Sequence, residues 1–255
     1  MKNFRSPQRP KKNMLLAGRN AILEALSEGR AVDRIYLQKT APSALQGELR
    51  KASEKHGVPL NYVPVEKLNG FNLGEHGGCV ALLSRVQYHD LQQIISWVVE
   101  KGEAPLLLIL DGVTDIRNIG GIARTAWSMG VQALVIPDKG VGALNEDAVL
   151  TSAGALEHIP VCRVNSLMKA VDELRLNGIR VLASEMTAEK KIFDLDFREP
   201  VAIVMGGEER GIHPALMKIC DERFSIPMPT EFESLNVSVA TGMILYEAMK
   251  QRLTT

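Results

Sequence analysis

Five short apolar runs, at residues 106–110, 133–136, 180–183, 201–205 and 224–226, constrain this chain more than any other feature of its sequence. Helical patterns alternate with them at 119–129, 145–155, 166–177 and 214–219, and a further one closes the chain at 235–249. Runs this short and this largely apolar suit strands covered on both faces. The expected architecture is an α/β fold with a parallel sheet between helical layers. Open sheets of this kind bind ligands beyond the carboxyl ends of their strands, so the residues that follow the strands are the ones to read for chemistry.

The preceding stretch has another rhythm. Residues 18–27 have helical spacing, with Ile22, Leu23 and Leu26 on one face. Strands are expected at 32–37, 61–63 and 79–84, and a helix at 43–56 closed by Gly57, with a glycine-rich loop at 70–78 that contains His76. A connecting helix at 90–101 ends at Gly102 and Pro105. The chain therefore divides into a basic arm (1–12), a small α/β domain (13–88), a connector (89–105) and a larger domain (106–255).

Formal net charge is zero, so composition does not announce a polyanionic partner. Its distribution says more: Lys2, Arg5, Arg9, Lys11, Lys12 and Arg19 all precede the first acidic residue, Glu24. Such an arm can contact phosphates or serve only as a solubilising tail. Cys79, Cys162 and Cys220 form no C-x-x-C pair, which fits neither a disulfide framework nor a zinc site. A cytoplasmic protein with no metal is expected. No membrane contact is expected either, since no apolar run approaches the roughly 20 residues of a span.

Three segments follow the strands. In the first, 111–126, Asn118 is expected to cap a helix, with Gly120 and Gly121 allowing close backbone approach and Arg124 six residues further on. A helix start with a nearby arginine can bind phosphate, or be only a capped helix with a surface side chain. The second, 201–212, places Gly206, Gly207, Glu208, Glu209 and Arg210 after a strand. It carries neither Gly-Lys-Ser/Thr nor G-x-G-x-x-G, and its carboxylates would repel a triphosphate. They suit a cationic ligand such as S-adenosylmethionine, or are solvent-exposed acids in a tight turn. The third, 224–240, stops a strand at Pro227 and Pro229 and leads Ser234, Asn236 and Ser238 into an otherwise apolar helix. Those polar side chains can cap the helix or line a site.

In this order the segments resemble the three motifs of the SpoU (TrmH-type) branch of the SPOUT RNA methyltransferases. The likeness spans residues 106–252 and rests on Asn118-x-Gly120-x-x-x-Arg124, Gly206-Gly207-Glu208-x-x-Gly211, and Ile226-Pro227-Met228 followed by Ser234 to Ala240. It implies a C-terminal trefoil knot, a rare exception among folds, and a homodimer formed through the knotted domain. It also implies S-adenosylmethionine held by Met205, Gly206, Gly207, Ile226, Met228, Leu235 and Asn236. The first domain is similar to the small RNA-binding domain of ribosomal RNA 2′-O-methyltransferases, through Leu16-Ala-Gly-Arg-Asn-Ala-Ile22 and His76-Gly-Gly-Cys-Val-Ala81. Relatives often carry Gln where this chain has Gly77.

The reaction so implied is methylation of a ribose 2′-hydroxyl in RNA, with a guanosine of large-subunit ribosomal RNA as the expected target. Arg124 is the catalytic arginine by position, with Asn118, Glu208, Ser234 and Asn236 around it. Arg19, His76, Arg117 and Arg124 are the expected RNA contacts. A guanidinium barely deprotonates, so a phosphate clamp suits Arg124 better than a general base. His213 follows the second segment at a helix start and is expected to be a capping or surface residue. The alternatives are a transfer-RNA ribose methyltransferase and a non-catalytic RNA-binding protein on the same fold; a dehydrogenase lacks its fingerprint here.

Overall fold

The computed structural model describes residues 14–142, 144–230 and 234–254. The basic arm lies outside them. Two compact units divide the chain, Met1–Arg85 and Val86–Thr255.

The first unit is a four-stranded mixed sheet built from β1 (Leu15–Ala17), β2 (Val32–Gln38), β3 (Leu60–Val63) and β4 (Cys79–Leu83), in the order β1-β4-β2-β3. α1 (Arg19–Ser27) and α2 (Ser43–His56) bury Ile22, Leu26 and Leu49 with Ile35, Leu37, Cys79 and Ala81. The alternate positions turn to the other side, where Val63 and Val80 pack with Leu68 of α3 (Val65–Asn69). β1 and α3 escaped the sequence reading. A three-residue strand has no period to detect, and β1 exists because it pairs antiparallel with β4.

The second unit is a seven-stranded sheet in the order β11-β9-β10-β6-β7-β8-β5, every neighbouring pair parallel. The strands are β5 (Tyr88–His89), β6 (Leu106–Asp111), β7 (Ala133–Pro137), β8 (Val161–Val164), β9 (Arg180–Ser184), β10 (Val201–Gly206) and β11 (Glu222–Phe224). Leu106, Leu108 and Leu110 of β6 face one layer, with Val201, Ile203 and Met205 of β10 beside them. That layer includes α5 (Ile116–Ser128), α6 (Glu146–Thr151) and α9 (Val237–Leu253). Leu107, Ile109, Ala202 and Val204 face the other, made of α4 (Leu91–Glu100), α7 (Leu167–Leu176) and α8 (Pro214–Ile219). The apolar runs of β6, β7 and β10 are continuous because both faces of these central strands are covered.

Several expectations need correction. Residues 89–105 are no free connector: β5 extends the sheet beside β8, and Leu91, Ile94, Ile95 and Val98 of α4 are core residues. β8 was missed because Arg163 interrupts its apolar pattern; the guanidinium lies 3.7 Å from the Tyr88 ring centroid. The last strand sits at Glu222–Phe224 rather than at 224–226, and α6 stops at Thr151, followed by a 3₁₀ turn at Ala155–Glu157. The first-motif helix begins at Ile116, capped by Asp115 and not by Asn118. Only four residues separate β6 from α5, so the cap falls on the first acceptor after the turn.

The end of α9 is tied to the amino edge of the sheet. Arg252 donates from Nε to Phe197 O at 2.8 Å, from Nη1 to Ala104 O at 2.5 Å, and from Nη2 to Pro105 O at 3.0 Å and Glu199 O at 3.1 Å. Gln251 donates from Nε2 to Leu195 O at 3.1 Å and accepts at Oε1 from Phe197 N at 2.9 Å. Burial pulls the Arg252 pKa down, yet the planar fork serves several carbonyls that a single ammonium could not. Arg252→Ala is expected to cost about 2–4 kcal/mol of stability by stranding these acceptors. Thermal unfolding should register a fall of about 5–10 °C; an unchanged Tm would refute the latch.

Candidate active site

β10 enters the sheet between β6 and β9, although β6 lies nearly a hundred residues earlier. In register, Gly206 stands opposite Asp111, so the loops after β6 and β10 leave side by side. Gly207 N donates to Asp111 O at 2.8 Å, and the Asp111 carboxylate accepts from His213 N at 2.6 Å. Asp111 thus pins both ends of the loop that carries Glu208. Its role escaped the sequence reading, which treated it only as the end of a strand. His213 caps α8 through Nδ1, as expected.

The glycines have packing reasons. A Cβ on Gly207 would lie 2.2 Å from Gly112 O, and one on Gly120 would lie 2.7 Å from Thr151 Cβ of α6. The first-motif glycine therefore lets α5 close on α6, and nothing in its surroundings requires a phosphate.

One side chain from each motif meets the other two. Asn118 Nδ2 donates to Glu208 Oε1 at 3.0 Å, and Asn236 Nδ2 donates to the same oxygen at 2.6 Å and to Asn118 Oδ1 at 3.0 Å. Asn236 also caps α9, its Oδ1 accepting from Ser238 N at 3.0 Å. The capping and site-lining readings of this segment are thus both true of one residue.

Glu208 also belongs to the wall of a cavity of about 560 Å³ at the carboxyl ends of β9 and β10. Met205, Gly206, Gly207, Arg210, Ile226, Met228, Ser234 and Leu235 line it, as do Ser184, Glu185 and Thr187, which the sequence reading did not single out. Apolar walls with two carboxylates fit a ligand that joins an aromatic base to a positive charge. A second cavity, of about 680 Å³, lies beyond β6, β7 and β8, among Asp111, Asp138, Lys139, Lys169 and His213. It holds neither the glycine turn nor the third motif, and its mixed charges favour no ligand sign.

Other expected residues lie apart from the triangle. Arg124 is exposed and, among the described residues, its guanidinium makes no hydrogen bond or ion pair. Its expected proximity to Asn118 does not yield a contact, because six helical residues separate them by roughly 9 Å and roughly 120° around α5. Arg117 binds Asp115 at 2.8 Å, which holds that carboxyl below its usual range. Arg19 is bidentate to Glu48. His76 contacts Asn69 Oδ1 through Nε2 at 2.9 Å and accepts from Gly78 N at 3.1 Å, so both ring nitrogens help fold its own loop. Burial pushes the thiols of Cys79, Cys162 and Cys220 up to about 11, 12 and 11, and none lines the cavity. No described group of three or more His, Cys, Asp or Glu side chains could hold a metal, and no described helix is long and apolar enough to cross a membrane.

The sequence model of the SpoU rRNA methylase family matches residues 105–246. A second model, described as RNA 2′-O ribose methyltransferase substrate binding, matches residues 15–89. YacO of Bacillus subtilis strain 168, named for the TrmH family of tRNA/rRNA methyltransferases, is 33% identical over 235 residues, covering 92% of this chain and 94% of its own. The SpoU methyltransferase AviRb from Streptomyces viridochromogenes, solved with AdoMet, has a TM-score of 0.60 at 26% identity over 94% of this chain and 91% of that one. The A. aeolicus TrmH/SpoU tRNA modifying enzyme has a TM-score of 0.54 at 29% identity, covering 64% and 85%. Matched in both units, and with one side chain of each motif meeting at Glu208, the chain belongs to the SpoU methylase family and is an RNA 2′-O-ribose methyltransferase.

Proposed function

We propose that this protein methylates the ribose of a guanosine in large-subunit ribosomal RNA, using S-adenosylmethionine bound in the 560 Å³ cavity. The observation that carries the reading is the Asn118–Glu208–Asn236 triangle, which joins the three motifs at a residue of the cavity wall. The first unit favours ribosomal RNA by its likeness to the small RNA-binding domain of ribosomal RNA 2′-O-methyltransferases, and it matches a model described as RNA 2′-O ribose methyltransferase substrate binding. Arg19, His76 and Arg117 are the proposed RNA contacts there and at the start of α5, each already oriented by a neighbour.

Bound in the cavity, S-adenosylmethionine supplies the methyl group. The protein's part is to place the 2′-oxygen in line with it and to stabilise the charge that grows as the hydroxyl proton departs. Glu208 makes its end of the cavity favourable to a cation, and its bonds to two amides hold the loop in place. Ser234 lines the cavity beside it and can orient the ribose. Arg124 clamps a substrate phosphate and stabilises the developing alkoxide.

Arg124 does this from a second protomer in our reading. It stands apart from the triangle of its own chain, and α9 is apolar on two sides. Thr241, Ile244, Leu245 and Ala248 are buried, while Val239, Met243 and Tyr246 are 46–56% exposed at i, i+4, i+7 spacing. A helix apolar on both sides belongs in an interior, and a homodimer would supply one. The proposed trefoil threading of the C-terminal segment draws support from β10 lying between two earlier strands and α9 returning to the start of β6. Three cysteines that form no disulfide, two of them buried, support a reducing cytoplasm as its setting.

The test is transfer of labelled methyl from S-adenosylmethionine to unmodified ribosomal and transfer RNA, followed by mapping of 2′-O-methylated positions. One methylated guanosine in large-subunit RNA is expected. Methylation confined to transfer RNA would overturn the substrate, and cofactor binding without transfer to either would leave a binding protein.

A further inference from the structure

Glu185 is the cavity residue that neither the motifs nor the triangle accounts for. It directly follows β9, the strand beside β10, and its backbone N–H donates to Phe224 O at 2.8 Å, which fixes its position between β9 and β11. The side chain lines the cavity and is 31% exposed. Among the described residues its ion-pair partner is Arg223 Nη1 at 3.6 Å, too long for a hydrogen bond. Among the described residues the carboxylate accepts no hydrogen bond, so its lone pairs are available to a ligand.

The cavity's other carboxylate, Glu208, already accepts two amide hydrogens. The two acids therefore differ in what they can take. Glu208 has committed Oε1 to the protein, while neither oxygen of Glu185 accepts a hydrogen bond among the described residues. Glu185 can accept two further donors at once, which is what a vicinal diol offers. Acidic residues beyond the end of a parallel strand hold ribose hydroxyls in this way in dinucleotide-binding folds, although this chain shares no fingerprint with them.

We infer that Glu185 accepts the ribose hydroxyls of the cofactor and selects a ribonucleoside in that position. The inference rests on the assignment of this cavity to S-adenosylmethionine. Arg223, exposed and at the margin, tempers the charge of Glu185 without occupying its lone pairs.

The experiment is a ligand–variant cycle on the full chain by titration calorimetry, with S-adenosylhomocysteine and its 2′-deoxy and 3′-deoxy counterparts. Removing a hydroxyl is expected to weaken binding to the wild type by about 10- to 100-fold, the range for a hydrogen bond to a charged group. Glu185→Ala should lose a similar factor for the parent ligand and then be indifferent, within about twofold, to the missing hydroxyl. Glu185→Gln, which keeps the shape, should fall between. Arg223→Ala should bind the parent ligand as the wild type does; matching losses in Arg223→Ala would show a merely structural ion pair and overturn the inference. So would an undiminished hydroxyl penalty in Glu185→Ala, the result expected if Glu185 faced the ligand's ammonium. A wild type indifferent to the hydroxyls overturns it without any variant. A wild type that binds no S-adenosylhomocysteine overturns the cavity assignment as well, so the two failures are distinguishable.

Discussion

Arg124→Ala is expected to lower the turnover of RNA methylation by about 10²- to 10³-fold while leaving cofactor affinity within about twofold. The magnitude is that of removing one preorganised donor from a transition state that gains negative charge. The selectivity follows from geometry. Arg124 is absent from the cavity wall and from the triangle, so the bound cofactor has no contact to lose within one chain. Arg124→Lys keeps the charge but not the two-pronged grip on phosphate, and should recover only a minor part of the rate. Single-turnover methyl transfer measured beside calorimetric cofactor binding checks both halves. Near-full turnover in Arg124→Lys would remove the clamp from the mechanism. A mixed dimer of Arg124→Ala and Glu208→Ala chains should regain activity in one of its two sites, because the intact residues then meet across the interface; failure to do so would place both residues in one protomer.

Gly207→Ala is expected to weaken cofactor binding by about 30- to 100-fold and to lower Tm by about 5 °C. The added methyl would sit 2.2 Å from Gly112 O and 2.8 Å from Gly112 C, and both neighbours are backbone. Neither can turn aside as a side chain would, so the loop must lift or the end of β6 must move. Overpacking of this kind costs about 1–3 kcal/mol, and here the strain falls on the residues that shape the cavity. The Gly207 N–H bond to Asp111 O would be strained by the same shift. Gly121→Ala is the contrasting case. Its Cβ would meet Ser238 Cβ at 3.4 Å, an ordinary contact, and alanine suits a helix better than glycine. Thermal melts and cofactor titrations of the two variants should therefore diverge; equal behaviour would mean that the close approach at Gly207 is unimportant.

The strands of the larger sheet were legible because burial on both faces leaves an uninterrupted apolar run, as at Leu106 to Leu110. Where one residue broke the run, as Arg163 does in β8, the strand vanished from view. Its reason is an aromatic neighbour on another strand, Tyr88, which no local pattern can reveal. Helix caps were readable only as a choice among acceptors. Asp115 and Asn118 are both competent, and the length of the turn after β6 decides between them. At the site, the identity of Asn118, Glu208 and Asn236 was legible through the motif likeness, but not their meeting. That depends on β10 inserting beside β6, a fact of strand order. Glu185 could have been found by asking which acidic residues follow strand ends. Asp111 could not, since its work is done through bonds to Gly207 and His213, about a hundred residues away.

The two ends of α9 have a consequence for how the protein comes into being on the ribosome. Asn236, at its start, completes the triangle with Asn118 and Glu208, and Arg252, in its final turn, fastens it to Ala104 and Pro105. Every other element of the unit is translated earlier, so a nascent chain can hold the sheet and two of the three motifs before α9 emerges. Until that helix is latched, Glu208 lacks its shorter amide bond and the cavity lacks the wall supplied by Leu235, Val237 and Ala240. A chain that stops short of α9 therefore lacks both the closed triangle and this part of the cavity wall.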